Sequence, residues 1–442
     1  MCWWTAVLSG PAIVRSLWSW RNGATVGLPQ PPHDMTAREL FLEELATRVQ
    51  TLAVQAPALA LLRNSAELDE LPAGKLESFK YTPIESLYDT ALADPEPGAM
   101  DVPDAPLRIA DADHFVVPVS GIDIDTSALP AGLSALGLAE STLDLKELNA
   151  GLDVVRYPLV HVNTALIRDG LVVRVAAGHR VTPTLQLNLT SAETATCSRV
   201  VIILEPGSEL RLFEQHHQSV VANRVLEIRL GADSTLHHTR WQGRSDCSAW
   251  QLTSVVLEDN ACYRLDAFSL GGAPHRNDFH VRLTGNGADF ELKGVQLTRD
   301  ADKLDQQVVV EHVGQHGRSR QRIHGIASGK SRLSFNGRIH IHPGAQHTDA
   351  RLTNRNLQID GSAQINTKPE LEIYADDVQC AHGATVGQID AEQLFYLRSR
   401  GISDAAARAL LMQGFLADCL PDNSLGQQIG RLLDAELGGP GA

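Results

Sequence analysis

The segment Leu204-Glu-Pro-Gly-Ser-Glu-Leu210 contains a motif that recurs three more times along the chain. It returns as Leu230-Gly-Ala-Asp-Ser-Thr-Leu236, Leu257-Glu-Asp-Asn-Ala-Cys-Tyr263 and Leu283-Thr-Gly-Asn-Gly-Ala-Asp-Phe290, with about 26 residues between successive leading leucines. Each copy consists of an apolar residue, a turn, a small residue and a second apolar residue. A fixed period of roughly 20–50 residues, combined with strands, predicts a solenoid or a propeller.

The region around these motifs, from about residue 107 to 385, consists of short apolar runs separated by Gly, Asn and Asp turns. Segments 341–347 and 359–364 resemble the same unit at shorter spacing. Units of two strands, with small residues stacked at their turns, suit a parallel β-helix better than a four-stranded propeller blade. We therefore predict a mostly β protein with a right-handed parallel β-helix core over residues 107–386. A long β-sandwich is the structural alternative.

The N-terminal part differs in character from this core. Residues 1–34 contain four tryptophans and are expected to be disordered or not native, with Met35 as the native start. Thr36-Ala-Arg-Glu39 is a capping box, and apolar residues follow it at helical spacing. Residues 35–106 are therefore predicted to form a helical domain followed by a proline-rich linker.

Helical periodicity returns in residues 387–442, which we predict to be a C-terminal helical domain. Asp390-Ala-Glu-Gln393 is an N-cap signature. Gly401 and Gly414 are expected to end the first and second of three short helices.

The first of these helices carries residues suited to binding a protein partner. Phe395, Tyr396, Arg398 and Arg400 combine aromatic and guanidinium groups, which are enriched at protein interfaces. A solvated helical cap on the solenoid is the alternative.

The composition restricts the function classes. The 442 residues have a formal net charge of −15, which argues against a nucleic-acid-binding protein because such proteins need a basic face. Six scattered cysteines without a CxxC pair favour a reducing cytosol over a disulfide framework. No run of about 18 apolar residues exists, so no membrane-spanning helix is expected. We therefore expect a cytoplasmic protein.

The first half of segment 367–390 alternates like a strand, and candidate ligands follow it. Cys380 and His382 lie two residues apart, close to Asp376 and Asp377. If one strand continues through them, this spacing places the thiol and the imidazole on one face. Such a pair can hold iron, zinc or sulfur, and the thiol is expected to have a depressed pKa. A cysteine that only packs is the alternative.

Other candidate ligands are histidines in or near predicted strands, which a β-helix could bring together: His216, His217, His237, His238, His312, His340, His342 and His347. Bound metal is one interpretation, and a hydrogen-bonded polar ladder is the other. Segment 325–331, Gly-Ile-Ala-Ser-Gly-Lys-Ser, is one residue too short for a phosphate loop and is interpreted as a turn. We therefore expect no nucleotide to bind this chain.

Several phrases in the last 110 residues together resemble the SufB/SufD family of iron–sulfur cluster assembly proteins. They are Phe335-Asn-Gly-Arg-Ile339, Asn354-x-Asn356-Leu357, Thr367-Lys-Pro-Glu-Leu-Glu-Ile373, Ala375-Asp-Asp-Val378, Cys380-x-His-Gly-Ala-Thr385 and Leu394-Phe-Tyr-Leu-x-Ser-Arg-Gly-Ile402. Gly383, which follows Cys-x-His, and the Phe-Tyr-Leu-x-Ser-Arg-Gly phrase resemble the SufD branch, whereas SufB has a glutamate at the position of Gly383.

The resemblance implies a β-helix core with helical domains at both ends, in a scaffold subunit without catalytic activity of its own. It implies pairing with SufB through the core, a possible homodimer when the chain is alone, and binding of a SufC ATPase through the C-terminal helices. It further implies that His382 faces SufB, with Cys380 beside it, where iron or a nascent iron–sulfur cluster is held. Two rival functions are a β-helix carbohydrate-active enzyme and a purely structural partner of the ATPase.

Overall fold

A computed structural model of the chain describes residues 37–55, 59–68, 71–72, 76–82, 84, 107, 114–118, 129–141, 143, 148, 151–167, 169–191, 196–218 and 221–438. The expectations for residues 1–34, for a start at Met35 and for a proline-rich linker lie outside these residues. In the described part of the chain, no helix is long and apolar enough to cross a membrane.

The described strands form two sheets of nine. The first, sheet A, contains β1 (His114–Pro118), β4 (Arg180–Ser191), β6 (Glu209–Gln218), β8 (Thr235–Gln242), β10 (Cys262–Leu270), β12 (Asp289–Thr298), β14 (Arg318–Ala327), β16 (Asp349–Gln358) and β18 (Gln379–Gly387). Sheet B contains β2 (Leu133–Gly137), β3 (Asp169–Val175), β5 (Thr196–Leu204), β7 (Ala222–Leu230), β9 (Ala249–Leu257), β11 (His275–Leu283), β13 (Lys303–His312), β15 (Arg332–Ile341) and β17 (Gln364–Ile373).

From β3 onward, consecutive strands alternate between the two sheets, and each strand pairs in parallel with the strand two places further along the chain. Among the strand pairs of the described residues, β2 with β3 is the antiparallel one. This is a parallel β-solenoid with two strands per turn, and the prediction of a β-helix is confirmed. The β-sandwich alternative is wrong because sandwich sheets are antiparallel.

The register of sheet B explains the sequence repeat. Leu204 pairs with Leu230, Leu230 with Leu257, and Leu257 with Leu283, so the leading leucines form one buried row. Ile341 continues this row. Segment 359–364 does not belong to it, because it connects β16 back to β17 at the opposite corner of the solenoid. Its shorter spacing arises from this difference in position.

The corner between sheet B and sheet A has the same backbone conformation in successive turns. The residues with positive φ at this corner are Gly178, Gly207, Asp233, Asn260, Gly287, His316 and His347. The N–H of each donates a hydrogen bond to a carbonyl of the next turn, as from Asp233 to Asp259 and from Asn260 to Asn286. The predicted small residues of this corner, such as Ser234 and Ala261, are fully buried. The corner therefore stacks as regularly as the strands do.

Six α-helices in the described residues flank the solenoid. They are α1 (Ala37–Gln55), α2 (Ala60–Asn64), α3 (Leu159–Leu166), α4 (Ala391–Ser399), α5 (Asp404–Leu416) and α6 (Ser424–Glu436). The first and third contribute to a core with Trp250 and Leu252 of sheet B. The last two pack Met412 and Ile429 into a cluster with Trp241 of sheet A. Both sheets thus have part of their outer face covered by helices.

Asp390, Ser403 and Asn423 cap the last three helices, each accepting a hydrogen bond from a backbone N–H of the first turn. Gly401 has a φ of +85°, as expected for a residue that follows a helix end. The expectation for Gly414 is wrong, because α5 continues through this glycine to Leu416. Packing of α5 against the solenoid offsets the roughly 1 kcal/mol that glycine costs inside a helix.

Candidate functional site

The solenoid ends at β17 and β18, the last strands of the two sheets, and we call this region the open end. Each of these strands is hydrogen-bonded to a neighbour on one side, β17 to β15 and β18 to β16. No described strand pairs with their other edges, and such edges can bind a further strand. Exposed apolar side chains lie here too, including Ile373, Tyr374 and Val386. The open end therefore has the features of an interface.

Cys380 and His382 lie on β18, where Cys380 pairs with Ala350 and His382 with Leu352. Because Ala350 and Leu352 belong to the solenoid core, both candidate ligands occupy inward-facing positions of the last turn. Cys380 is partly buried against that core, whereas His382 is exposed. The spacing of two residues thus places the pair on one face.

The strand in the first half of segment 367–390 does not continue through Cys380 and His382. β17 ends at Ile373, and β18 begins at Gln379 in the other sheet. Asp377 lies in the corner between the two strands, where its carboxylate is 2.9 Å from His347 Nδ1 and its N–H donates to Gln346. The carboxylate of Asp377 is therefore engaged at the corner.

The Cys380 thiol has a raised pKa, contrary to the expectation of a depressed one. Burial is the largest cause, the Asp349 carboxylate adds to it, and a hydrogen bond with the Ala350 backbone opposes it. Burial and the Asp349 carboxylate together outweigh the hydrogen bond, so the pKa is raised and the group is a protonated thiol at neutral pH. Binding a metal or accepting sulfur would require loss of this proton.

The part of the chain that the structure describes contains no group of three or more His, Cys, Asp or Glu side chains arranged to hold a metal ion. Structural zinc and iron sites commonly need four protein ligands. Cys380 and His382 can therefore supply at most half of such a set. If a metal or cluster binds at the open end, other ligands must come from elsewhere.

The predicted partner-binding residues lie on or just after α4, which has no buried side chain. Phe395 is 72% exposed and Tyr396 is 56% exposed. Arg398 forms an ion pair with Asp404 at 3.4 Å, and the Arg400 guanidinium lies 5.2 Å from the centre of the Tyr396 ring. An exposed aromatic surface flanked by two cations is thus held next to the open end.

A groove between α5 and α6 extends this helical surface. Its volume is about 360 Å³, and its lining includes Leu410, Leu420 and Leu433. Leu410 is also an exposed large hydrophobic residue. Exposed apolar surface on a solvent-facing helix pair is typical of protein-binding sites.

Histidines do come together, as stacking of equivalent positions allows, and one stacked pair is His316 with His347, whose ring centres are 4.7 Å apart. His216 and His238 both contact the Glu214 carboxylate, at 2.7 and 2.9 Å. The rings of His340 and His342 are 4.2 Å apart on the outer face of sheet B. These contacts are hydrogen bonds and ring contacts, which fit the polar-ladder interpretation.

Segment 325–331 was predicted to be a turn, but its first three residues, 325–327, end strand β14, and residues 328–331 form the turn before β15. Its second glycine, Gly329, has a φ of +64° and accommodates the corner. The residues after this turn enter a strand, so the segment lacks the helix N-terminus that a phosphate loop uses.

Fold and site together define a β-solenoid whose last strand carries Cys380 and His382 at inward-facing positions. Residues 187–415 match the family model described as SUF system FeS cluster assembly, SufBD core domain. The match covers about half of the chain, and the protein belongs to the SufB/SufD family of iron–sulfur cluster assembly proteins.

Individual relatives agree with this assignment. The chain is 30% identical to the iron–sulfur cluster assembly protein SufD of Escherichia coli K12 over 383 residues, which is 81% of this chain and 88% of the relative. It is 30% identical to a SufBD family protein of Synechocystis over 62% of this chain and 64% of that protein. It is also 30% identical to the chloroplastic protein ABCI7 of Arabidopsis thaliana, over 56% of this chain and 55% of that protein. The chain is thus SufD-like.

Proposed function

We propose that this chain is the SufD-like, non-catalytic scaffold subunit of a complex with a SufB-like protein and a SufC-like ATPase. The observation that carries the proposal is the position of Cys380 and His382 on the last strand of the solenoid. They form a pair of ligands on a strand whose outer edge is free to pair. Family membership supports the role in cluster assembly.

The open end suits a SufB-like partner because it offers strand edges for backbone hydrogen bonds and exposed apolar side chains for packing. Two strand edges can add strands from another chain, and exposed residues such as Ile373 and Val386 would become buried in that contact. A second copy of this chain can use the same surface when the partner is absent. The proposed contact would therefore cover the two candidate ligands.

In this proposal the iron–sulfur cluster, or its first iron, is the cargo of the complex. The imidazole of His382 supplies one ligand, and the Cys380 thiol supplies a second after losing its proton. The SufB-like partner supplies the remaining ligands, because the described residues of this chain hold no larger ligand group. A site shared in this way exists only in the complex.

The C-terminal helices suit the SufC-like ATPase. α4 presents Phe395, Tyr396, Arg398 and Arg400, and the groove between α5 and α6 adds apolar surface nearby. Aromatic and arginine side chains are the groups that most often dominate the binding energy of protein interfaces. The packing of α5 and α6 on sheet A would connect the ATPase to the solenoid.

The test is the iron and acid-labile sulfide content of the complex, purified anaerobically with wild-type chain or with His382→Ala. We expect the variant to form the complex and to hold clearly less iron and sulfide. His179→Ala is the matched control, because His179 is an exposed corner histidine far along the solenoid from β18.

Cys380→Ser separates the two ligands in the same assay. A loss of iron and sulfide as large as that of His382→Ala would show that the thiol contributes as much to the site as the imidazole does. Wild-type iron and sulfide in the His382→Ala complex would contradict the ligand role and favour the purely structural function.

A further inference from the structure

Exposed arginines are concentrated on the outer face of sheet A near the end of the solenoid. On β14, Arg318, Arg320 and Arg322 are exposed and alternate with buried residues. On β16, the next strand of the sheet, Arg351 and Arg355 are exposed in the same way. We call these five residues the arginine face. Because the whole chain has a formal net charge of −15, this concentration of positive charge is local.

The strand register places like charges side by side on this face. Arg320 pairs in register with Arg351, and neighbouring strands lie about 4.8 Å apart. Arg322 lies two residues further along β14 on the same side, a distance of about 7 Å along the strand. Like charges opposite each other on neighbouring strands repel and weaken a sheet. Stability of the fold therefore does not account for this arrangement.

Nearby carboxylates neutralise only part of the arginine face. Arg318 lies 3.2 Å from the Asp289 carboxylate, which is shared with Arg264 at 2.8 Å. Arg351 lies 2.9 Å from Asp349 of its own strand. The other three arginines of the face have no ion-pair partner in the part of the chain that the structure describes. Their positive charge is available to a binding partner.

The space in front of the arginine face is open toward the last strand. The positions of β18 that continue its rows carry no charge, since Gly383 pairs with Thr353 and Thr385 pairs with Arg355. A Cβ atom at Gly383 would meet no atom within 4 Å beyond its chain neighbours. On the other side, the Arg355 guanidinium lies 5.8 Å from the centre of the Phe415 ring of α5. The face is thus an accessible strip between α5 and the rim of the solenoid.

We propose that the arginine face binds an acidic segment of a partner protein. Guanidinium groups bind carboxylates through two parallel hydrogen bonds, and arginine is one of the residues that most often dominate the binding energy of protein interfaces. Strand dimensions make the face about 20 Å long and 10 Å wide. One helix, which is about 10–12 Å across, or one extended segment covers such an area.

The overall charge of the chain favours a protein over a nucleic acid or a membrane. Nucleic acids and anionic membranes present negative charge over distances much larger than the arginine face, and the remaining surface of a chain with a net charge of −15 repels them. A short acidic segment can place its carboxylates over the arginines alone. Such complementarity between charged patches selects a partner and speeds its association.

A deca-glutamate peptide with a fluorescent label, titrated with the full-length chain at low salt, tests this binding by fluorescence anisotropy. Arg320→Gln together with Arg322→Gln should weaken peptide binding by about tenfold or more, because two unpaired guanidiniums are lost. The melting temperature should not fall, since repulsion between neighbouring strands is relieved.

Arg180→Gln together with Arg332→Gln is the matched control. It removes the same amount of charge from exposed arginines at the starts of β4 and β15, away from the arginine face. We expect the control to bind the peptide as wild type does. Equal weakening in the two double variants would show that net charge alone governs binding and would overturn the proposal. So would a wild-type chain that does not bind the peptide.

Two further measurements distinguish other occupants of the face. Tighter binding of an oligothymidine or of phosphatidylserine vesicles than of the peptide would overturn the assignment to a protein. A wild-type dimer that becomes a monomer in the Arg320 and Arg322 double variant would assign the face to a second copy of the chain. The proposal uses neither the open end nor α4, so it and the proposed function fail separately.

Discussion

His382 pairs in register with Leu352, yet Leu352 is buried in the solenoid core and His382 is exposed. The difference arises because β16 has a strand on each side and β18 has one on a single side. An inward-facing position that would be core in any earlier turn is therefore accessible to a ligand. Cys380 shares this situation in part, with its thiol half-buried and its pKa raised by burial.

Val386→Lys should weaken pairing with the SufB-like partner. Val386 is 46% exposed at the open end, and a lysine there would place a charge in a contact that excludes water. We expect binding to weaken by about tenfold or more, corresponding to at least about 1.4 kcal/mol. The affinity of the two purified chains, measured by calorimetry, checks this.

Val155→Lys is the matched control for that experiment, because Val155 is 86% exposed in a turn before α3. Equal affinity for both variants and wild type would place the interface elsewhere on the molecule.

Arg398→Glu together with Arg400→Glu should prevent recovery of the SufC-like ATPase in a pull-down while leaving SufB pairing intact. The change reverses two charges beside the exposed rings of Phe395 and Tyr396. We expect the ATPase to bind at least about tenfold more weakly, as for interface hot spots.

Arg180→Glu is a suitable control, since Arg180 is a well-exposed arginine on β4. Normal ATPase recovery with the double variant would leave α4 as a solvated cap of the solenoid.

Acid should destabilise the fold through His216. Burial lowers the pKa of His216 to about 3, whereas an unfolded chain has a histidine pKa near 6.5. Between these values the unfolded state binds a proton that the folded state does not, so stability falls as the pH falls. One such proton changes the free energy of unfolding by about 1.4 kcal/mol per pH unit.

Thermal unfolding of wild type and His216→Gln between pH 6.5 and 4 checks this prediction. The variant should show a shallower loss of stability with acid, even if it is less stable at pH 7. His179→Gln, at an exposed corner, should keep the wild-type slope. If the stability of wild type and of His216→Gln fell equally with pH, the proton taken up on unfolding would bind a group other than His216.

The fold could be predicted from the sequence because a solenoid repeats its register. The row from Leu204 to Leu283 requires the same spacing in every turn, and that spacing is visible in the chain. The shared face of Cys380 and His382 follows from local geometry in the same way.

Other features depend on packing that a linear pattern does not contain. Alternating polar residues such as Glu214 and His216 usually indicate a solvent-facing strand surface, but here they point into the interior. Gly414 has the residue type of a helix end, and contacts of its neighbours Met412 and Leu416 with the solenoid keep the helix continuous. The Cys380 pKa follows from burial and Asp349, which lies on a different strand.

The regular corner between the sheets has a consequence for how a partner can extend the solenoid. In a solenoid each turn interacts mainly with its two neighbours, so the free energy of one turn depends on whether both are present. Among the described residues, the last turn, β17 with β18, is supported from one side. Its corner residue Asp377 accepts a hydrogen bond from the N–H of His347 in the preceding turn, and its strands pair with β15 and β16. A partner that docks there acts as the missing neighbour. Cooperative stabilisation of the final turn and capture of a ligand by Cys380 and His382 would then be one event.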